Sequence, residues 1–103
     1  GPRLEFIEAA AEHLPLEDGV ADVVLAFDSI DHWGDRDAGL REVVRVLRPG
    51  GRLVVVKDGG LPGGAEGTRS LRAALRDVGL DVQDEAALTE GNVNCTLWVC
   101  GGA

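Results

Sequence analysis

Two apolar runs, VADVVLAF at residues 20–27 and RLVVVK at residues 52–57, constrain this chain more than any other feature. Both are rich in β-branched residues and nearly unbroken. A strand with one wet face alternates polar and apolar residues; an unbroken run suits a strand buried on both faces, the habit of parallel sheets. Parallel neighbours must be joined by a crossover, usually a helix. The intervening sequence supplies one. Leu40, Val43, Val44 and Leu47 fall at i, i+3, i+4 and i+7, one apolar helical face, and Asp35 or Asp37 can cap it. Arg41, Glu42, Arg45 and Arg48 lie mostly off that face, and Pro49-Gly50-Gly51 stops the helix.

The flanking sequence extends the pattern. Residues 3–8 read as a short strand, followed by the small-residue stretch Ala9 to His13. Pro15 disfavours a helical Leu14, and Glu17-Asp18-Gly19 forms a turn. Residues 58–67 form a glycine-rich loop; Thr68 caps a second helix with Leu71, Leu75 and Val78 inside, and Gly79-Leu80 ends it in a left-handed turn. Residues 81–88 form a weaker, more exposed strand. The last strand, residues 93–100, alternates Val93, Cys95, Leu97 and Val99 against Asn94, Thr96, Trp98 and Cys100. The predicted order β, β, α, β, α, β, β is an α/β layout, mostly parallel with an antiparallel C-terminal strand and helices packed on the sheet.

A chain of 103 residues makes one small domain, expected over residues 1–103. The net charge of −8 argues against nucleic acid and against an anionic membrane surface as partners. No apolar run approaches the ~20 residues a membrane helix needs. The two cysteines and two histidines show no metal-ligand spacing, and Cys95 and Cys100 would face opposite sides of one strand. Thiols in that setting suit a reducing cytoplasm. Residues 59–64 lack the lysine of a phosphate-binding loop, and Ser29 and Ser70 lack the setting of a hydrolase nucleophile. The chain contains no methionine, which suits a processed chain or an excerpt of a longer one.

The stretch AEHLPLEDGVADVVLAFDSIDHWGDRDAGLREVVRVLRPGGRLVVV, residues 11–56, carries Leu14-Pro15, Asp18, Asp22, Val24, His32, Asp35, Leu40, Glu42, Arg45-Val46-Leu47 and Pro49-Gly50-Gly51 at consistent spacing. In these residues the chain resembles the carboxyl-terminal half of class I S-adenosylmethionine-dependent methyltransferases of the small-molecule type. The resemblance implies a partial Rossmann-like sheet, S-adenosyl-L-methionine as cofactor and a small-molecule acceptor as partner. It places cofactor contacts at Ala10, Ala11, Glu12, Phe27 and Asp28, and Asp28 and His32 beside the transferred methyl group. Methyl transfer is a direct displacement that depends on in-line positioning, with a base to take the acceptor proton. His32 titrates near neutrality and suits that role, while a loop histidine capping the next turn fits the same residue. Trp33 reads as a packing lid, and His13 as a surface residue.

The resemblance also exposes gaps. Ala10 stands where the family has an aspartate that reads the adenine. The glycine-rich loop after the family's first strand, and the acid that ends its second, are not in this chain. Binding of the cofactor by these residues alone is therefore expected to be weak or absent, and the chain inactive in isolation. A cofactor-free, methyltransferase-like interaction or scaffold domain is the alternative. In the family the 20–27 strand pairs with the missing first strand. Here it would be an exposed edge open to homodimer formation, unless residues 3–8 cover it.

Overall fold

The computed structural model describes residues 3–7, 14–27, 35–58 and 65–102. Five strands and two helices follow one another: β1 (Leu4–Ile7), β2 (Ala21–Phe27), α1 (Arg36–Val46), β3 (Leu47–Asp58), α2 (Ala65–Asp77), β4 (Leu80–Glu90) and β5 (Val93–Gly102). They form one sheet in the order β1-β2-β3-β5-β4. β1, β2 and β3 are parallel neighbours, and β5 runs antiparallel between β3 and β4. The mixed, mostly parallel α/β class expected from the sequence is what forms.

The two apolar runs are the centre of the sheet. Val24 and Ala26 of β2 lie beside Leu53 and Val55 of β3, which lie beside Cys100 and Trp98 of β5. All six are buried. Leu40, Val43 and Val46 of α1 and Leu71, Ala74 and Leu75 of α2 close over them in one cluster. The one-sided placement follows from the strand order. The steps β1 to β2, β2 to β3 and β3 to β4 all move toward the same edge, so right-handed crossovers fall on one face. Trp98 keeps its indole N–H satisfied there by donating to the Glu85 carboxylate.

The strand 20–27 is not the exposed edge that the sequence suggested. β1 covers it, with Leu4 to Ile7 in register with Val23 to Ala26. The Asp22 carboxylate accepts the Arg3 N–H at 2.8 Å, and the Arg3 carbonyl oxygen accepts the Asp22 N–H at 3.0 Å. Over Val23–Ala26 the hydrogen-bonding groups of that edge are thereby already paired, the alternative in which residues 3–8 cover it. α2 begins at Ala65, so Thr68 lies inside its first turn rather than capping it; Glu66 and Arg69 pair there at 2.7 Å. β3 begins at Leu47, directly after α1 and before Pro49-Gly50-Gly51. Leu47 is therefore the last cap of α1, donating to the Val43 carbonyl oxygen, and pairs with Ala21.

The two glycines after Pro49 have separate reasons. Gly50 has φ +83°, which side chains rarely adopt. At Gly51 a Cβ would sit 2.8 Å from the Arg48 carbonyl oxygen and 3.1 Å from that of Asp22. The reversal thus brings two backbones too close for any side chain. Gly79, at φ +85°, ends α2 as expected, with Leu80 turned into the core.

Two outcomes follow from this packing. Gly51→Ala lowers stability by about 1–3 kcal/mol in urea unfolding, since backbone rather than a movable side chain must yield. Burial pushes the Cys100 thiol up from its ordinary 9.0 to about 11, against a weaker opposing pull from Arg72. The fold then holds a proton that the unfolded chain has lost. Stability is fully present below about pH 9 and is lost as pH rises toward about 11. In Cys100→Ala the slope of stability against pH over that range flattens, whatever its packing cost; an unchanged slope would assign the titration elsewhere.

Candidate functional site

The three parallel strands end together. Ile7 closes β1 beside Ala26, and Phe27 closes β2 beside Val56 of β3. Ile7, Phe27 and Asp58 therefore end their strands at the same end of the sheet. That carboxyl end is where open α/β sheets bind ligands. Its described rim is built from helix starts. Asp35 caps α1, its carboxylate accepting the Ala38 N–H at 3.0 Å. The Arg36 guanidinium donates to the Ser70 hydroxyl at 2.8 Å, tying the beginning of α1 to α2.

The residues singled out from the sequence distribute as follows. Phe27 is the last residue of β2, its backbone paired with Val56. Ala10, Ala11, Glu12, Asp28 and His32 lie outside the described residues, as do His13, Ser29 and Trp33.

What the structure adds is a clamp that the sequence reading left as polar helix surface. Glu42 and Arg45, one turn apart on α1, pair at 2.7 Å. Glu42 accepts the Leu14 N–H at 2.9 Å; Arg45 donates to the Leu14 carbonyl oxygen at 3.0 Å and to Asp18 at 2.6 Å. The Gly19 N–H reaches the Arg45 carbonyl oxygen at 2.9 Å. These contacts fasten the whole Leu14–Gly19 turn, and hence the entry to β2, onto α1. Hydrogen bonds donated to Glu42 and then to Asp18 hold the Arg45 guanidinium's proton even more firmly than usual. The signal was present: Leu14, Asp18, Glu42 and Arg45 all belong to the matched pattern, and a helix pair at i, i+3 with a turn rich in unpaired backbone groups is a natural partnership.

A shallow groove of about 420 Å³, lined by Asp37, Arg41, Val44, Asp77 and Val78, lies between α1 and the end of α2 rather than beyond the strand ends. Among the described residues no His, Cys, Asp and Glu group could hold a metal ion. None of the helices described is long and apolar enough to cross a membrane.

Residues 1–55 match the family of methyltransferase domains. The chain belongs to that family. The match spans β1, β2, α1 and the Pro-Gly-Gly reversal, the elements that converge on the strand ends. The ubiquinone/menaquinone biosynthesis C-methyltransferase UbiE of Hahella chejuensis is 46% identical over 57 residues, 55% of this chain and 23% of that protein. The methyltransferase GfsG of Streptomyces halstedii is 49% identical over 53 residues, 52% of this chain and 19% of that one. The chain thus spans about a fifth of the length of the curated relatives it matches. A SAM-dependent methyltransferase from Aquifex aeolicus has the same fold, with a TM-score of 0.72 and 17% identity over 91% of this chain and 52% of its own. The sheet accordingly has the fold of part of a Rossmann-like methyltransferase sheet.

If the clamp is what seats the methyltransferase motif, Glu42→Ala costs about 1–3 kcal/mol, because the Leu14 N–H loses its acceptor. Amide exchange at Leu14 and Gly19 then quickens more than at Val24 or Val55. Equal acceleration everywhere would reduce Glu42 to a general surface contribution.

Proposed function

We propose that this chain forms part of an S-adenosylmethionine-dependent methyltransferase acting on a small-molecule acceptor, and that residues 1–103 alone are inactive. The family match over residues 1–55, on elements whose strand ends share one edge, carries the first half of that reading. The names of UbiE and GfsG support methyl transfer as the reaction class. Asp28 and His32, in the segment leaving β2, are the proposed acceptors of the substrate's proton. Phe27, Asp28 and the Ala10–Glu12 segment are the proposed cofactor contacts. The chain is read as a single partial domain, at home in the cytoplasm.

The cofactor fits these residues incompletely. The strand beside β2 is β1, and the segment that leaves it reads Glu8-Ala9-Ala10-Ala11-Glu12. Ala10 and Ala11 offer an adenine ring only backbone groups, and no glycine there permits close approach to the methionine moiety. The same observation favours a second reading: a methyltransferase-like domain that binds partners and no cofactor.

Calorimetric titration of the purified chain with S-adenosylhomocysteine tests the proposal. Binding weaker than millimolar is the expected result, and micromolar binding would contradict inactivity in isolation. Reading the coding sequence upstream separates the two functions. A DxGxGxG loop on a preceding strand supports the enzyme and removes the scaffold; a native start at Gly1 does the opposite.

A further inference from the structure

β4 stands last in the strand order β1-β2-β3-β5-β4 and, among the described residues, pairs only with β5. The outer side of such a strand presents a row of N–H and C=O groups, a template on which another extended chain can pair. β4 runs from Leu80 to Glu90, is uncharged over Ala86-Ala87-Leu88-Thr89, and leaves Leu88 55% exposed. Left open, that segment would invite a further strand. Its register shows which groups point outward. In an antiparallel pair, residues that bond the partner alternate with residues whose backbone groups face away. β4 turns into β5 through Gly91-Asn92, with Glu90 opposite Val93, and the residues flanking a two-residue turn bond each other. Counting back from Glu90, Leu88, Ala86 and Asp84 bond β5, whereas Thr89, Ala87 and Glu85 face outward. The Glu85 N–H agrees with that count. It donates to the Asp84 carboxylate, at 2.9 Å, and not to β5.

We propose that Asp84 is the gatekeeper of this edge: its carboxylate occupies the outward Glu85 N–H and so closes β4 to strand addition by a second extended chain. An incoming strand must aim a carbonyl oxygen at that N–H. It would meet a carboxylate oxygen there instead, and two acceptors repel. Glu85 is held from its other end as well. Its carboxylate accepts the indole N–H of Trp98, which is buried under the helices, so the residue that Asp84 caps is anchored to the core by its own side chain. The register shift between Val82 and Asp84 adds to the guard, since an extra residue at Gln83 bends the strand and increases its twist just where a partner would need it straight. Charge acts in the same direction. Asp81, Asp84, Glu85 and Glu90 all lie on β4, so a second copy pairing edge to edge would bring like charges opposite one another. These contacts lie within β4 and β5, and they are independent of the proposed activity.

Residue-resolved amide hydrogen exchange of the whole chain tests this. Corrected for intrinsic rates, the outward Glu85 N–H exchanges at least ~tenfold more slowly than the outward N–H groups of Ala87 and Thr89, which have no such cap. In Asp84→Ala, with circular dichroism unchanged, that difference disappears. When the concentration is then raised from about 50 to about 500 µM, Ala87 and Thr89 of the variant become protected as its strands pair, while those of the unaltered chain do not. Should Asp84→Ala fail to fold, the comparison of Glu85 with Ala87 and Thr89 in the unaltered chain decides alone. Equal exchange at the three amides overturns the proposal. So does protection of Ala87 and Thr89 that grows with concentration in the unaltered chain, or a folded Asp84→Ala that keeps Glu85 protected or gains no protection on concentration.

Discussion

The parallel pairing of β2 with β3 is the contact on which the rest of this molecule depends. Val24 against Leu53 and Ala26 against Val55 fix the register of the central strands. Two parallel neighbours cannot be joined by a tight turn, so α1 must cross over, and its handedness selects the face. Once α1 lies on that face, β1 to β2 and β3 to β4, moving toward the same edge, can only add to it. The core and the shared end of the parallel strands are both consequences of that one direction of travel.

The conserved-looking pattern shared with the methyltransferase family is largely a set of fasteners. Asp22 receives the Arg3 N–H and so ties β1 to β2; Glu42 and Arg45 bind the Leu14–Gly19 turn to α1; Gly51 lets the backbone of β3 pass close to Arg48 and Asp22. None of these groups needs chemical reactivity to do this. Each sets where a strand begins, and a strand's beginning and length set where it ends. For a site built at the carboxyl ends of strands, fastening the amino-terminal side fixes where the strands end.

How much of this was legible follows the range of the interaction. VADVVLAF, the Leu40–Val43 spacing, the Asp35 cap and the Gly79 helix end are local signals, and each formed where expected. Leu47 fitted the helical period and yet turned into β3, because pairing with Ala21 outweighed one more residue of helix. The insertion of β5 between β3 and β4 was not readable, since strand order is decided between distant segments. The alternation in β5 was readable, but which of its two faces met the helices was not: hydrophobicity alone would have buried Leu97 and Val99, and crossover handedness buried Trp98 and Cys100 instead. Of the site, the sheet end was legible through topology, whereas Glu42 and Arg45 were hidden by their polarity, which reads as solvated surface until a partner turn is found.

The place of β1 bears on function more than its length suggests. It has only Leu4 to Ile7 to pair, and Asp22 supplies part of what holds its beginning. Yet it occupies the position beside β2 from which the family's cofactor loop would issue. A glycine-rich exit allows backbone to approach a bound methionine moiety, and a run of alanines does not, because each Cβ occupies that space. With β1 there, Leu4 to Ile7 satisfy an otherwise open edge of β2. A four-residue strand is a small barrier to exchange, so a longer strand with a glycine exit could take its place without disturbing Val24, Leu53 or anything beneath the helices.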